Sequence, residues 1–548
     1  MAGRWGAVTV LGAAQFVMVL DSTVMNVSIS TVVADLDTTI AAMQTAITFY
    51  TLTMAAFMLL GAKLGDVWGR KRALIIGSIV YAIGSLTTAL SPNIVVLFFG
   101  WSIVEGLGAV LVIPAIAALI ADNYQGHARV TAFAVIGASS GAAVAAGPLI
   151  GGFLTTYASW RYVFAGEVVI MAVVLVFSFL VGDHGTRSRI RIDILSVLLS
   201  AAGLVLIVYA LLQTKSWGWI LAGAGAPYTL LGLSPVPYLV AAGCVLLWLF
   251  FVRQRRLVAS GRPPLLDVSL LRISQLRAGV GSLAIQYTVT AGLFFIVPIY
   301  LQLTLGLDAL ETGIRVFPLS ISLVLFSVLG TMFSKRFSPR LIARIGQLTL
   351  VVASLILLGS VDVELNNWLF ATGMFIAGAA LGLLASQLGN VTMSAVGPTQ
   401  LSEAGGIQGV FQNLGSSLGT ALIGSVMIAS LSSVFAGAVA ESTLPDDVKS
   451  TVQERTQEGI TPVAVADVPK IATDAGLGDD DAKALAGLYE TSQLRSLELS
   501  FAALALVSCG ALFFSRNLPR EIVGGSADPV PARPERSERS ERRSARRA

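Results

Sequence analysis

At 548 residues, 55% hydrophobic and only 12% charged, with a mean hydropathy of +0.79, the chain is excluded from the ordinary soluble class, whose members carry about 25% charged residues. The formal charge of +4 is small and says little by itself, and no nucleic-acid partner is expected. The charges gather in short gaps between long apolar runs, the pattern of a polytopic α-helical membrane protein. The 54 glycines suit helices that approach one another closely in lipid.

A membrane-crossing helix needs roughly 20 apolar residues. On that rule the chain holds fourteen spans: 5–32, 45–66, 73–91, 94–118, 128–153, 160–181, 192–213, 227–252, 277–304, 311–333, 339–359, 367–390, 404–432 and 495–515. The first is too long for the apolar core of a signal peptide. Alternate gaps are basic: Arg70–Arg72, then His127 and Arg129, then Arg187, Arg189 and Arg191. Next come Arg253, Arg255, Arg256, Arg262 and Arg272, then Lys335, Arg336, Arg340 and Arg344. The intervening gaps carry Asp35 and Asp37, Ser91-Pro92-Asn93, Asp308 and Glu311, and Asp362 and Glu364. Positive charge marks the cytoplasmic side, so both termini are expected in the cytoplasm of a cell whose plasma membrane the chain spans. A missed or invented span would have inverted the alternation downstream.

Cys244 and Cys509 both fall in apolar runs, which implies neither a disulfide framework nor a thiolate metal site. His127 and His184 fall in polar gaps and read as solvated. Residues 433–494 read as a long external loop with short helical stretches such as Val448–Glu458, open to use as a cap or partner site but more simply a solvated loop. Residues 521–548, rich in Arg, Ser, Pro and Glu, read as a disordered tail, free or touching anionic lipid heads.

The short gap Leu60–Leu74, LGAKLGDVWGRKRAL, places Asp66 and the triplet Arg70, Lys71 and Arg72 in one tight turn, with Gly65 and Gly69 expected to supply the bend. Leu64, Gly65, Asp66, Gly69, Arg70, Lys71 and Arg72 make it resemble the signature between spans 2 and 3 of the major facilitator superfamily. Ala62 stands where that family usually has glycine. Fourteen spans point to its drug:proton antiporter branch. Leu20-Asp21-Ser22-Thr23-Val24-Met25-Asn26-Val27 is similar to the branch's first-span motif, Gly147-Pro148-Leu149-Ile150-Gly151-Gly152 to its fifth-span antiporter motif, and Trp160-Arg161-Tyr162-Val163-Phe164 to the entry of span 6. Weaker matches are Pro298–Gln302 and Gly415–Ala421. Two departures stand out. Ser102 and Glu105 occupy the places of the family's fourth-span arginine and glutamine, and Glu167 stands where span 6 often has asparagine. The usual proton-relay arginine is absent and two acids have appeared nearby.

The resemblance implies an all-α fold of two six-helix bundles made of inverted three-helix repeats. Residues 1–182 would form the first bundle, 183–256 two inserted spans, and 257–520 the second bundle with its external loop. It also implies that Asp66, Arg70, Gly65 and Gly69 form a latch between the bundles, where the residues alone suggest a surface ion pair worth under ~1 kcal/mol. For Gly147, Pro148, Gly151 and Gly152 it implies control of leakage, beside the general reading that small residues, with Gly137 and Gly141, allow tight helix packing.

A carboxylate in mid-span costs about 2.5–3.5 kcal/mol on insertion scales, so Asp21 must face a cavity or a partner. It is either a proton or cation site or an interhelical hydrogen bond. Glu105, beside Gly106 and Gly108, carries the same two readings. Glu167 lies nearer a span end, where water is expected to reach it. In the later spans Gln286, Tyr287, Gln408, Gln412 and Asn413 are polar or amphipathic, with Tyr50, Phe294 and Phe411 as aromatic neighbours. These either line a cavity or bond between helices. No Walker loop, zinc spacing or nucleophile elbow is visible, so no enzyme activity, cofactor or bound metal is expected. The reading is proton-coupled export of hydrophobic, cationic small molecules, with lipids around the chain. The alternatives are export of a lipid or endogenous metabolite on the same fold, or a non-transporting receptor or assembly partner acting through 433–494.

Overall fold

The computed structural model describes residues 2–520 apart from 184–191, 224, 335, 398–399, 447, 451 and 453–461. Among the described residues fourteen helices are long and apolar enough to cross a membrane. We number them in chain order: α1 (Ala2–Asp35), α2 (Ile40–Trp68), α3 (Arg70–Ala89), α4 (Ile94–Asn123), α5 (Gly126–Tyr157), α6 (Arg161–Phe177), α7 (Ile194–Trp217), α8 (Pro235–Ala259), α9 (Ser274–Thr304), α10 (Ala309–Phe333), α11 (Pro339–Leu358), α12 (Asn367–Met393), α13 (Leu401–Glu441) and α14 (Asp479–Phe514). The span count expected from sequence holds, although the eighth helix starts at Pro235 rather than near 227.

Helix starts follow local chemistry. Thr39, Asn93, Asn366 and Asp193 cap α2, α4, α12 and α7, each accepting a backbone N–H of the first turn through its side chain. Ser234-Pro235 and Ser338-Pro339 add proline at the first helical position. Asp308 and Glu311 form a reciprocal capping box at α10.

Helix α3 packs on α4 and α6, α1 on α5, α9 on α13, and α10 and α11 on α12. Early and late helices meet along α2–α13 and α5–α10. Helices α7 and α8 form a hairpin whose α7 lies against both α2 and α13. Arg253 of α8 grips Asp193 with two hydrogen bonds of 2.6 Å, and this guanidinium holds the Asp193 carboxyl down at about 2. Gln254 joins the hairpin to the next segment, donating to Ser196 Oγ at 2.6 Å and accepting from Leu265 N at 2.8 Å.

The segment 433–494 departs from the solvated loop expected. Helix α13 has 41 residues and α14 has 36. At 1.5 Å per residue these run about 60 and 54 Å, well beyond the ~30 Å of a hydrocarbon core. Their protruding ends and the short helix Val468–Asp474 bury Phe435, Val439, Leu444, Ala472, Leu485 and Tyr489 together. Phe435 and Tyr489 meet edge to face at 5.4 Å, and the Tyr489 hydroxyl accepts from Val463 N at 2.9 Å. Most of the stretch Val448–Glu458, the arginines 187, 189 and 191, Lys335 and the tail 521–548 lie outside the described residues.

Candidate functional site

Three acids from three helices converge. Asp21 of α1, Glu105 of α4 and Glu167 of α6 are 1%, 0% and 1% exposed. One carboxylate oxygen of each lies within 4.8 Å of the others. The expectation that Glu167 sits near water is therefore corrected. Although close in sequence to the start of α6, its side chain is turned inward against α3. There the Tyr81 hydroxyl donates to Glu167 Oε2 at 3.1 Å and the Ser85 hydroxyl at 3.3 Å.

Asp21 is held from α4, where the Trp101 indole N–H donates to both carboxylate oxygens at 2.9 and 3.1 Å. The Tyr50 ring of α2 stacks on that indole at 5.0 Å. Trp101 and Glu105 share a π-helical segment, Phe98–Glu105, a helix irregularity that recurs at functional sites. Helix α3 can approach because position 84 is glycine; a Cβ there would come within 2.5 Å of Glu105 N. Ser102, in the place of the family's arginine, donates to Ala46 O of α2 at 2.7 Å and leaves the acids without its charge.

Both oxygens of Glu105, Glu167 Oε1 and the Tyr50 hydroxyl are buried without a hydrogen-bond partner among the described residues. None of the six ion pairs among those residues includes any of the three acids. Two full charges 4–5 Å apart repel by about 3–4 kcal/mol at an effective dielectric near 20. Without a paired cation among the described residues, such a cluster stays together only if it shares protons or admits a cation.

The turn at Asp66 differs from expectation in two ways. Gly69, at φ 97°, alone makes the break; Gly65 is a regular residue of α2. Asp66 and Arg70 therefore belong to different helices rather than to one helical turn. Arg70 donates to Asp122 Oδ1 of α4 at 2.7 Å and lies 3.9 Å from Asp66. All three partners sit within α2–α4. The pair that joins an early to a late helix at this end is Lys63 of α2 with Glu403 of α13, at 3.4 Å, and the same Glu403 oxygen accepts from Asp267 N at 3.3 Å. A 100 Å³ cleft lined by Leu59, Lys63, Asp66, Leu265 and Glu403 lies beside it.

At the opposite end the halves are joined by amides. Gln44 of α2 donates to Thr420 O and Ala421 O of α13 at 3.0 and 3.1 Å and accepts from Lys215 of α7 at 3.3 Å. Gln302 of α9 donates to Val27 O of α1 at 2.8 Å and accepts from Ser30. Sequence reasoning missed Gln44, Lys215 and Gln302 as a group; Gln302 falls inside an expected span, while Gln44 and Lys215 fall just beyond the ends of theirs.

Helix α5 touches two partners. A Cβ at Gly147 would overlap Thr23 Oγ1 of α1, and one at Gly151 would come within 2.7 Å of Val24 Cγ1. One at Gly152 would approach Ala309 O of α10 to 2.6 Å, while Pro148 O faces Gly313 of α10. Gly137 has nothing within 4 Å of such an atom, so the tight packing expected along the helix does not extend to that position. Of the expected cavity residues, Gln286 donates to Leu381 O of α12 at 3.4 Å and Asn413 to Gly409 O of its own helix at 2.9 Å. Tyr287, Phe294, Gln408, Phe411 and Gln412 are half-buried, while Tyr50 is buried at the acidic cluster.

The family model of the Major Facilitator Superfamily matches residues 11–420. The puromycin resistance protein of Streptomyces alboniger is 30% identical over 432 residues, covering 77% of this chain and 82% of that protein. The tetracenomycin C resistance and export protein of Streptomyces glaucescens is 26% identical over 537 residues, covering 96% and 94%. Among solved structures, a bacterial homologue of the human lysosomal transporter Spinster, in an inward-facing conformation, aligns with a TM-score of 0.59 at 15% identity over 94% of this chain and 98% of its own. The chain is a fourteen-span membrane transporter, not an enzyme, and belongs to the Major Facilitator Superfamily.

Proposed function

We propose that this transporter exports hydrophobic, cationic small molecules across the plasma membrane in exchange for protons. The observation that carries the reading is the buried Asp21–Glu105–Glu167 cluster, which has no cationic side chain paired to it among the described residues. Protons neutralise the acids in one step of the cycle; a cationic substrate replaces them in the other. The membrane potential contributes about 2.3 kcal/mol per charge per 100 mV, enough to drive uphill export with one or two protons. Relatives named for resistance to puromycin and export of tetracenomycin C support the export direction.

On this reading residues 1–182 and 257–520 are two bundles that rock about the cluster, with 183–256 an inserted hairpin. The basic end, which carries Lys63, Arg70 and Arg253, faces the cytoplasm together with both termini. Asp66, Arg70 and Asp122 brace that end of the first bundle, and Lys63–Glu403 closes it against the second. The half-buried Tyr287, Phe294, Gln408, Phe411 and Gln412 line the path for the apolar part of the substrate. The test is efflux of a cationic dye from proteoliposomes under an imposed pH gradient. Gradient-dependent efflux is expected from the wild type and none from Asp21→Asn; gradient-independent accumulation would overturn the proton coupling.

A further inference from the structure

We propose that the Asp21–Glu105–Glu167 cluster also binds a hard metal cation of the size of Ca²⁺ or Na⁺. Acidic side chains alone would not carry this. The additional observation is the unfilled coordination around them. Glu105 contributes two buried oxygens with no hydrogen-bond donor, Glu167 contributes Oε1 and Tyr50 its hydroxyl oxygen, all with no partner among the described residues. A buried carboxylate oxygen with no donor is costly, and here several occur at one point.

The donor set decides the class of ligand. Every candidate donor is oxygen, three of them carboxylates, with no thiol or imidazole. That set selects hard cations over zinc or copper. The spread decides the size. Ca²⁺ binds oxygens at about 2.3–2.6 Å, so oxygens on opposite sides of it lie about 4.6–5.2 Å apart, and the cluster spans up to 4.8 Å. Mg²⁺, at about 2.0–2.1 Å, would require the helices to contract. Na⁺ is close to Ca²⁺ in size and differs in charge.

The surroundings hold the acids as outer-shell groups hold metal ligands. The Trp101 indole fixes the Asp21 carboxylate from one side. Tyr81 and Ser85 both donate to Glu167 Oε2, which leaves Oε1 as the free donor. Close packing of the α4 backbone against Gly84 places Glu105, and neither of its oxygens accepts a hydrogen bond of ordinary geometry among the described residues, which leaves both open to a ligand. Occupancy of this kind needs neither drug nor gradient and goes beyond the export reading.

Equilibrium dialysis of the purified full-length chain in detergent, after chelator treatment and in mildly alkaline N-methylglucamine buffer, tests it with radiolabelled Ca²⁺ in one arm and radiolabelled Na⁺ in the other. Saturable, stoichiometric binding in either arm is expected, and the arm that saturates identifies the charge of the ion. Glu105→Gln and Glu167→Gln are each expected to weaken it by at least about tenfold. The triple variant Asp479→Asn, Asp480→Asn, Asp481→Asn, at the start of α14 outside the cluster, should bind as the wild type. Glu105→Asp, which keeps the carboxylate, should restore part of the binding. No saturable binding of either ion to the wild type overturns the proposal, as does binding unchanged in both glutamine variants or lost only in the α14 triple. Dye export retained in a protein that binds neither ion would overturn this inference alone and leave the export reading standing.

Discussion

Asp21, Glu105 and Glu167 show what a single residue reveals in sequence and what it hides. Each was visible as an acid inside an apolar run, because hydrocarbon penalises charge and tolerates it only with a partner or a purpose. Their convergence was not visible, since one sequence does not say which faces of α1, α4 and α6 meet. Nor were Trp101, Tyr81 and Ser85 legible as their donors, as an indole or hydroxyl in a span is equally suited to ordinary packing. Distance along the chain from Trp160 suggests that Glu167 meets water, whereas burial depends on which side of α6 faces α3. We predict that Glu105→Gln lowers dye efflux less than Asp21→Asn does, because glutamine keeps the shape and is the residue the family carries there. Initial efflux rates under a fixed pH gradient check this, and equal loss in the two variants would contradict it. At the same scale, Trp101→Phe removes the indole donor from Asp21 while keeping an aromatic ring against Tyr50. It should change the pH profile of efflux more than its maximal rate; an unshifted profile would leave the indole only a packing role.

At the scale of helices, the motif around Asp66 was legible by residue type, while its geometry was not. Gly69 adopts a positive φ and splits α2 from α3, and the strongest contact of Arg70 runs to Asp122, about fifty residues away in the chain. Asp66→Asn is expected to reduce turnover severalfold while leaving substrate affinity nearly intact, because bracing one end of the bundle biases the conformational equilibrium rather than the binding contacts. Dye binding and efflux measured on the same preparation separate the two, and wild-type turnover would reduce Asp66 to a surface charge. Helix α5 gives a sharper case. Gly147→Leu would drive a side chain into Thr23 of α1, so it should block cycling, whereas Gly137→Leu, with no atom near its Cβ position, should be tolerated. Efflux rates of the two variants, with expression matched, check this. A fully active Gly147→Leu variant would contradict a packed α1–α5 interface.

At the scale of the whole molecule, the fourteen spans and the basic alternation were readable because the ~30 Å bilayer and the cost of charge within it constrain every gap at once. The cap built by the extended ends of α13 and α14 was legible only as the lesser of two readings, beside a solvated loop. Its small core comes from residues far apart in the chain, such as Phe435 and Tyr489, and no local period announces that. The topology makes its own prediction. Cys244 and Cys509 face outward from membrane helices and should resist aqueous thiol reagents. Single cysteines placed at Ser442 and Ser537 should label from opposite sides of the membrane, and labelling of both from outside would remove the fourteen-span orientation. The central claim, that substrate and protons exchange at the Asp21–Glu105–Glu167 cluster, is tested most directly by proton release on adding a cationic substrate to the purified protein in weakly buffered detergent. The account predicts release from the wild type and its loss in Asp21→Asn. Unchanged release from Asp21→Asn, or none from a wild-type protein that binds the substrate, would contradict it.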